Sequence, residues 1–481
     1  MLSIQDGFKC YTGFERDPYE PGVWLPLFAK AGCSTQSVAV TPRINQCVSF
    51  RLRTFGAKRR FPILAKIPIL NPSNIRNYGM SGMRKIKIGF VISIVVLFLG
   101  WLPKVGAGRV SWYLDNDFAH YYLTGGLVRS GINPYAVNLS PLYAGGGFTP
   151  TRDVPQGGAS PTLAVIMAPV SALPPFEAFC VWTAAQVVSL FLGVVLLLRV
   201  CEVECSRRAV IFLLLGSLAP LGMFAHLRYG QTQALIFGLV AGGVVLVLRP
   251  RGIWWRSGMF LWGVSASFKL FTAPLGWVAF RYRGWEGLGW FALGFASLWS
   301  VFVWMCGWDS VVTFVTVTVP YLRELSIAFN GNISLSAALI YTQRVLVGAD
   351  VVGASLVQML SVLLVIPFIV WERREREDLV ASTMMVLAVS CLLSPTAWPH
   401  YLPLLTGGFL YLLGQAQRSV RPEVGQVVTL ALYVCMGVSM GYLSRGDLLT
   451  QIVSIWWGPV SMVALIALLG VARQRRGIFL R

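Results

Sequence analysis

Long apolar runs separated by short basic segments constrain this chain more than any other feature. Hydrophobic residues make up 56% of its 481 residues, and charged residues make up only 12%. An ordinary soluble domain carries about 25% charged residues. Because about 20 mostly apolar residues are enough for one membrane crossing, the pattern predicts an all-α polytopic membrane protein.

The basic residues predict how the chain is threaded through the bilayer. Arg84, Lys85 and Lys87 precede the first apolar run, 89–102, and place its start on the cytoplasmic side. From residue 84 onward, the segments predicted to lie inside hold 20 Lys and Arg residues and the outside segments hold 8. This asymmetry predicts about twelve crossings, both termini inside, and a long first outer loop at 104–158.

The surplus of Lys and Arg, 40 against 20 acidic residues, therefore reports topology and contact with anionic membrane lipids. We expect no nucleic-acid partner. The nine cysteines lack the spacing of a metal site or a disulfide framework, so we expect neither, and no cofactor.

Residues 1–83 differ from the rest in composition. They mix proline, cysteine and basic residues without a helical period and without the architecture of a signal peptide. Two interpretations stay open: a disordered cytosolic extension, or a mis-assigned start, because Met80 and Met83 directly precede the basic flank. The membrane domain is accordingly predicted at 84–481.

Two segments have sequences that are not typical of a single membrane-crossing helix. Residues 160–174 are short and bounded by proline, which predicts an interfacial or re-entrant piece. Residues 257–280 hold Lys269 and Pro274 within an apolar stretch, which predicts a broken helix. Broken helices at membrane depth are tolerated only where they line a cavity or pack within protein.

The predicted topology brings most of the unusual polar motifs to the outer face. Polar groups near a bilayer are costly, so a one-sided cluster is a functional-site hypothesis. Its members are Asp115, Asp117, Tyr121, Tyr122, Arg228, Gln231, Asn332, Trp398 and His400, with Lys269 reaching the same level from the broken helix.

Such a cluster suits group transfer from a lipid-phosphate donor. Asp117 would act as general base on an acceptor hydroxyl, with Asp115 as a supporting neighbour or a helix cap. Cationic side chains at Arg228, Lys269 and His400 would stabilise the leaving phosphate.

The other polar and aromatic residues of the cluster would contact the substrates. Aromatic rings at Tyr121, Tyr122 and Trp398 would stack on a sugar or anchor at the headgroups. The alternatives are structural: an interfacial arginine at residue 228, and a turn around Gly331 that explains Asn332.

Five short motifs in this order resemble glycosyltransferase family 87, over about residues 84–471. They are Asp117-Phe-x-x-Tyr121-Tyr122, Gly131-x-Asn133-Pro134-Tyr135, Gly230-Gln231, Lys269 with Pro274, and Ser394-Pro395-x-x-Trp398-x-His400. Pro399 and the spacing from Lys269 to Pro274 depart from the family pattern.

The resemblance implies a GT-C fold and inverting transfer of a hexose, most often mannose, from a polyprenyl phosphate donor to a lipid or glycan acceptor. It places the reaction at the periplasmic face of the plasma membrane and matches Asp117 to the general base. Gln231, Trp398 and Asn332 are predicted as further substrate contacts. A transporter or lipid flippase is the alternative, and it would require internal repeats and polar residues at the membrane midplane.

Overall fold

The computed structural model of the chain describes residues 117–479. The gaps in this range are 146–147, 149–156, 219–220, 250–251, 328–331, 349–352, 354–355, 358, 362, 364–377, 396, 420–421 and 438–447. The extension 1–83, the first predicted crossing at 89–102 and Asp115 lie outside the described residues, so those predictions stay predictions.

All regular structure within the described residues is helical, as the composition predicts. The helices are α1 (Asp117–Arg129), α2 (Ser140–Gly145), α3 (Pro161–Val170), α4 (Pro175–Val200), α5 (Arg207–Leu218), α6 (Leu221–Arg228), α7 (Gln233–Val247), α8 (Gly252–Phe268), α9 (Leu275–Cys306), α10 (Trp308–Thr313), α11 (Val319–Ile327), α12 (Leu335–Val347), α13 (Leu379–Leu393), α14 (Leu402–Gln417), α15 (Pro422–Gly437) and α16 (Leu448–Phe479). Short 3-10 turns at Leu270–Thr272 and Pro399–Tyr401 and a π-helical turn at Phe314–Thr318 connect some of them.

Among the described helices, α4, α9 and residues 450–474 of α16 are long and apolar enough to cross a bilayer. The bent pair α5 and α6 adds a fourth if it counts as one span. Several other apolar helices, including α7 and α13, have only 10–17 residues. The structure thus confirms a helical protein with membrane-spanning segments, while the number twelve stays a prediction.

Helix α3 is the segment predicted as interfacial or re-entrant. Ser160 caps its first turn, because the Ser160 hydroxyl accepts a hydrogen bond from the Leu163 amide at 3.3 Å. Its 10 residues rise only about 15 Å, too short for a crossing. It packs on α1 at Gly125, where a Cβ atom would lie 2.6 Å from the Met167 carbonyl carbon.

The predicted broken helix is present between α8 and α9. Helix α8 ends at Phe268, Lys269 adopts an extended conformation (φ −146°, ψ 120°), and α9 resumes after Pro274. Proline lacks the amide hydrogen that a continuous helix needs, which explains a break at this place. The consequence is that Lys269 projects from a non-helical residue inside the bundle rather than from a helix face.

A second break at Gly284 (φ 61°) divides α9 and leaves a straight segment that begins at Trp285. Trp285 and Trp304 are 77% and 84% exposed. At about 1.5 Å per residue the two tryptophans lie about 28 Å apart along the axis, close to the ~30 Å hydrocarbon thickness. Aromatic residues at both ends of an apolar helix are typical of a membrane crossing.

Helices α8 and α9 pack closely, which predicts a measurable cost for added side-chain volume. A Cβ atom at Gly263 would collide with the Phe291 carbonyl oxygen and lie 2.7 Å from the Phe295 amide nitrogen. Backbone atoms cannot rotate away, so Gly263→Ala should lower the free energy of unfolding by about 1–3 kcal/mol. Thermal unfolding of the purified protein in detergent measures the effect.

Gly289→Ala is the matched control, because Gly289 lies in α9, the helix that Gly263 packs against, and a Cβ atom there would meet nothing within 4 Å. We expect the control to unfold at or slightly above the parent temperature, since alanine favours helices. Equal destabilisation by both variants would contradict the close packing.

Candidate functional site

Asp117 is the first residue of α1 and its side chain is half-buried. A carboxylate is favoured there because the first turn of a helix carries unsatisfied amide hydrogens and a partial positive charge. The Asp117 Oδ2 atom accepts a hydrogen bond from Nε2 of Gln231, which is 114 residues away in sequence. This contact joins the start of α1 to the residues just after α6.

The Gly-Ile-Asn-Pro-Tyr motif holds α1 in place rather than supplying chemistry. Gly131 (φ 71°) ends the helix, and the Ile132 and Gly131 amides donate to the Leu127 and Val128 carbonyls, both at 3.0 Å. The Tyr135 hydroxyl then donates to the Ala159 carbonyl at 2.8 Å. The motif therefore anchors the far end of α1 beside the start of α3.

The end of α6 uses the same backbone geometry to present Gln231. Gly230 has a left-handed φ of 63°, and the Gln231 amide donates to the His226 carbonyl at 3.0 Å. The Trp182 indole donates to the Gly230 carbonyl at 2.6 Å. A glycine is required because a Cβ atom at residue 230 would lie 2.6 Å from the Phe118 Cβ atom.

Four side chains form one connected group, here called the carboxylate network: Asp117, Tyr121, Gln231 and Lys269. The Lys269 ammonium donates to Gln231 Oε1 at 2.8 Å, and the Tyr121 hydroxyl donates to the same oxygen at 3.4 Å. Burial, together with the Asp117 charge, raises the pKa of Tyr121 well above its usual value. Tyr121 therefore stays a neutral hydrogen-bond donor.

A row of rings lies beside the carboxylate network and is called the aromatic row: Tyr229, Trp398, His400 and Tyr401. The His400 ring stacks near-parallel to Trp398 at a centroid distance of 6.1 Å and lies 6.2 Å from Tyr229. Arg228 lies over the Tyr229 ring at 5.7 Å. The row meets the network where Lys269 Nζ lies 5.2 Å from the centre of the Tyr401 ring.

Two buried imidazoles near this junction have unused hydrogen-bonding capacity. Within the described part of the chain, the two ring nitrogens of His226 have no hydrogen-bond partner, and Nε2 of His400 has none either. Both rings lie within electrostatic range of Lys269. Buried polar atoms normally find partners, so this region is suited to a polar ligand.

Comparison with known proteins gives a family match for part of the chain. Residues 160–395, just under half of the chain, match the model of glycosyltransferase family 87. The match makes this part of the chain similar to glycosyltransferase family 87 and supports the resemblance seen in the sequence. No curated protein and no solved structure matches it.

The family match favours sugar transfer over the transporter or flippase alternative. Arg228, Gln231, Lys269 and Asn332 lie inside the matched region. Asp117, Tyr121, Tyr122, Trp398 and His400 lie outside it, so their placement rests on the structure.

The structure brings seven of the predicted residues together and engages two others elsewhere. The residues that meet are Asp117, Tyr121, Gln231, Lys269, Arg228, Trp398 and His400. Tyr122 donates instead to the Leu173 carbonyl at 2.8 Å, and Asn332 donates to the Pro395 carbonyl at 2.6 Å.

The bond to Pro395 ties the segment before α12 to the one before His400, and Asn332 also accepts from the Ser334 amide two residues further on. The predicted turn around Gly331 lies outside the described residues. Tyr401 was not among the predicted site residues, although it directly follows His400 in the sequence. Its place beneath the Lys269 ammonium becomes visible only when the α8–α9 break and the 3-10 turn at Pro399–Tyr401 are packed together.

Within the described residues, no group of three or more histidine, cysteine, aspartate or glutamate side chains is arranged to hold a metal ion. The expectation of a site without metal stays a prediction.

The crowding at Gly230 predicts a loss of both stability and activity in Gly230→Ala. A left-handed conformation costs a non-glycine residue about 1–3 kcal/mol, and the added Cβ atom must also push Phe118 and hence Asp117 away. We expect sugar transfer to fall by more than the loss of folded protein explains. Thermal unfolding and transfer assays on the same preparation separate the two effects.

Gly284→Ala provides the matched control, because Gly284 has a φ of 61° and a Cβ atom there would meet nothing within 4 Å. It carries the backbone strain without the contact, so it should be destabilised and still active. Equal specific activities for the two folded variants would contradict the role of the Gly230 contact.

Proposed function

We propose that this chain is a glycosyltransferase that transfers a hexose, with mannose as the first expectation, from a polyprenyl phosphate donor to a hydroxyl of a lipid or glycan acceptor. The proposal rests on one observation: the Asp117 carboxylate and the Lys269 ammonium belong to one network, and this network lies against the aromatic row that contains His400. A base and an anion-stabilising group are the two elements that such a transfer needs.

Asp117 serves as the general base. The acceptor oxygen attacks the anomeric carbon of the sugar, its proton passes to the Asp117 carboxylate, and the bond from that carbon to the phosphate oxygen breaks. Attack from the side opposite the phosphate inverts the anomeric centre. A base of this kind typically contributes about 10²–10⁴-fold to the rate.

Cationic side chains stabilise the phosphate as it leaves with the polyprenyl chain. Arg228 and Lys269 carry this role as cations that lie over rings of the aromatic row, and His400, itself a member of the row, carries it as a hydrogen-bond donor. Trp398 and Tyr121 are the aromatic groups available to pack against the sugar ring. A guanidinium matches phosphate geometry particularly well because it donates two parallel hydrogen bonds.

The proposal places the site at the outer face of the plasma membrane. Arg281 and Arg283 precede the Trp285 end of the α9 crossing, and Trp304 marks its other end. Basic residues favour the cytoplasmic side, so the Trp304 end faces outward. Helix α10 then begins at Trp308 on the outer side.

The direct test of the base is Asp117→Asn, which keeps the shape of the side chain and removes its basicity. We expect transfer from polyprenyl phosphate sugars to fall by at least about 100-fold while donor binding is kept. Steady-state assays with a radiolabelled donor and a separate binding measurement report the two quantities.

The matched control is Asp309→Asn, an exposed carboxylate in the first turn of α10. This control should keep parental turnover. Near-parental transfer by Asp117→Asn would show that Asp117 is not the general base.

Orientation is testable by labelling cysteines introduced at Asp309 and Glu286, exposed residues near the two ends of the α9 crossing. A membrane-impermeant maleimide should label Asp309→Cys in intact cells and Glu286→Cys only after permeabilisation. The unmodified chain gives the background from its own cysteines. The reverse pattern would place the site on the cytoplasmic side.

A further inference from the structure

We infer that Lys269 acts as a positioning residue for the base, through the Gln231 amide, rather than as a ligand of the donor phosphate. The inference rests on the proposed function and narrows it, leaving Arg228 and His400 as the phosphate-facing groups. It is carried by the chain of contacts from Lys269 to Gln231 to Asp117.

The chemistry of the partners fixes the orientation of the Gln231 amide. A lysine ammonium only donates hydrogen bonds and an ionised carboxylate only accepts them. The amide oxygen must therefore face Lys269, with the Tyr121 hydroxyl on the same oxygen, and the amide nitrogen must face Asp117. In the flipped orientation, the amide oxygen would face the Asp117 carboxylate, which only accepts hydrogen bonds. The amide nitrogen would then face the Lys269 ammonium, which only donates them.

The amide keeps two opposite charges in one network without a direct ion pair. Gln231 is 3% exposed and Lys269 is only partly exposed, so both charges feel a reduced screening by water. A direct ion pair would hold the carboxylate on the ammonium, away from an incoming hydroxyl. Through the amide, Lys269 favours the ionised form of Asp117 while the carboxylate keeps its place at the start of α1.

The aromatic rings around the Lys269 ammonium favour its position next to the Gln231 amide. Lys269 Nζ lies 2.8 Å from Gln231 Oε1 and 5.2 Å from the centre of the Tyr401 ring, and Tyr401 stacks on Phe271 at 4.9 Å. A cation held over a ring face gains electrostatic attraction from it. Arg228, by contrast, lies at the other end of the aromatic row, over Tyr229.

The pH dependence of the base reflects every titratable group near it. They are Tyr121 in α1, Tyr143 in α2, His226 in α6, Lys269 at the α8–α9 break, Cys391 in α13, and His400 and Tyr401 in the 3-10 turn. Lys269 interacts electrostatically with both Asp117 and the histidines. Its removal takes away a positive charge that favours the ionised form of Asp117, and this direct effect shifts the carboxylate toward the protonated form.

The test compares Lys269→Met with Arg228→Met by measuring kcat and the donor KM across pH. We expect Lys269→Met to move the acid limb of the pH–rate profile upward by about one pH unit, with the donor KM within about threefold of the parent. We expect Arg228→Met to raise the donor KM by about tenfold or more without moving that limb.

An unmoved acid limb in Lys269→Met overturns the inference, and so does a donor KM raised more than about tenfold. The protein used is the full-length chain in detergent or lipid, with the parent polyprenyl phosphate donor. Exposed Arg256, which pairs with Glu286 at 2.8 Å, supplies the control variant Arg256→Met for loss of a cation as such.

A second variant covers the case in which Lys269→Met does not fold. Gln231→Met keeps the volume of the side chain and removes the amide, so it should also move the acid limb upward. Where both single variants fold, the double variant should show no further shift, because Lys269 acts through Gln231. An unmoved acid limb in Gln231→Met, or additive shifts in the double variant, overturn the inference.

Asp117→Asn distinguishes failure of this inference from failure of the proposed function. If Asp117→Asn keeps turnover, the proposed base is wrong whatever the Lys269 variants do. If Asp117→Asn is inactive and Lys269→Met changes only the donor KM, the base stands and Lys269 is a phosphate ligand.

Discussion

The Gln231 amide between the Asp117 carboxylate and the Lys269 ammonium is the interaction on which the rest of the site depends. It connects the start of α1, the end of α6 and the break between α8 and α9. Each of these positions is a helix terminus or a helix break, where the backbone is free to present a side chain inward. The long apolar helices around them serve to hold three such ends at hydrogen-bonding distance.

Glycine and proline determine where the ends fall. Gly131 and Gly230 terminate α1 and α6 in the same left-handed conformation, and Pro274 stops the chain from continuing as one helix past Lys269. Without these breaks, Gln231 and Lys269 would lie on continuous helices, and the helical period alone would set the direction of their side chains. The site is therefore a product of irregular backbone within a regular helical bundle, as is typical of polar sites at membrane depth.

Much of this was predictable from the sequence, because apolar runs, basic flanks and prolines act locally. The helical class, the short segment at 160–174 and the break at Lys269 follow from such signals and are present in the structure. For Asp117, Gln231 and Lys269, the sequence predicts only that they lie on the same face of the membrane. It does not predict the hydrogen bonds that connect them. Tyr122 and Asn332 show the limit: their hydrogen bonds to the Leu173 and Pro395 carbonyls depend on packing that no local pattern encodes. Tyr401 was missed for the same reason.

The central claim is that this carboxylate network works on a lipid-linked sugar. The most direct measurement is transfer by the purified protein with a panel of radiolabelled polyprenyl phosphate sugars and nucleotide sugars, with membrane lipid extract as the acceptor source. We expect label to move from a polyprenyl phosphate hexose into an acceptor, and nucleotide sugars to give no labelled product. Transfer from nucleotide sugars alone would show that the donor is not a lipid-linked sugar.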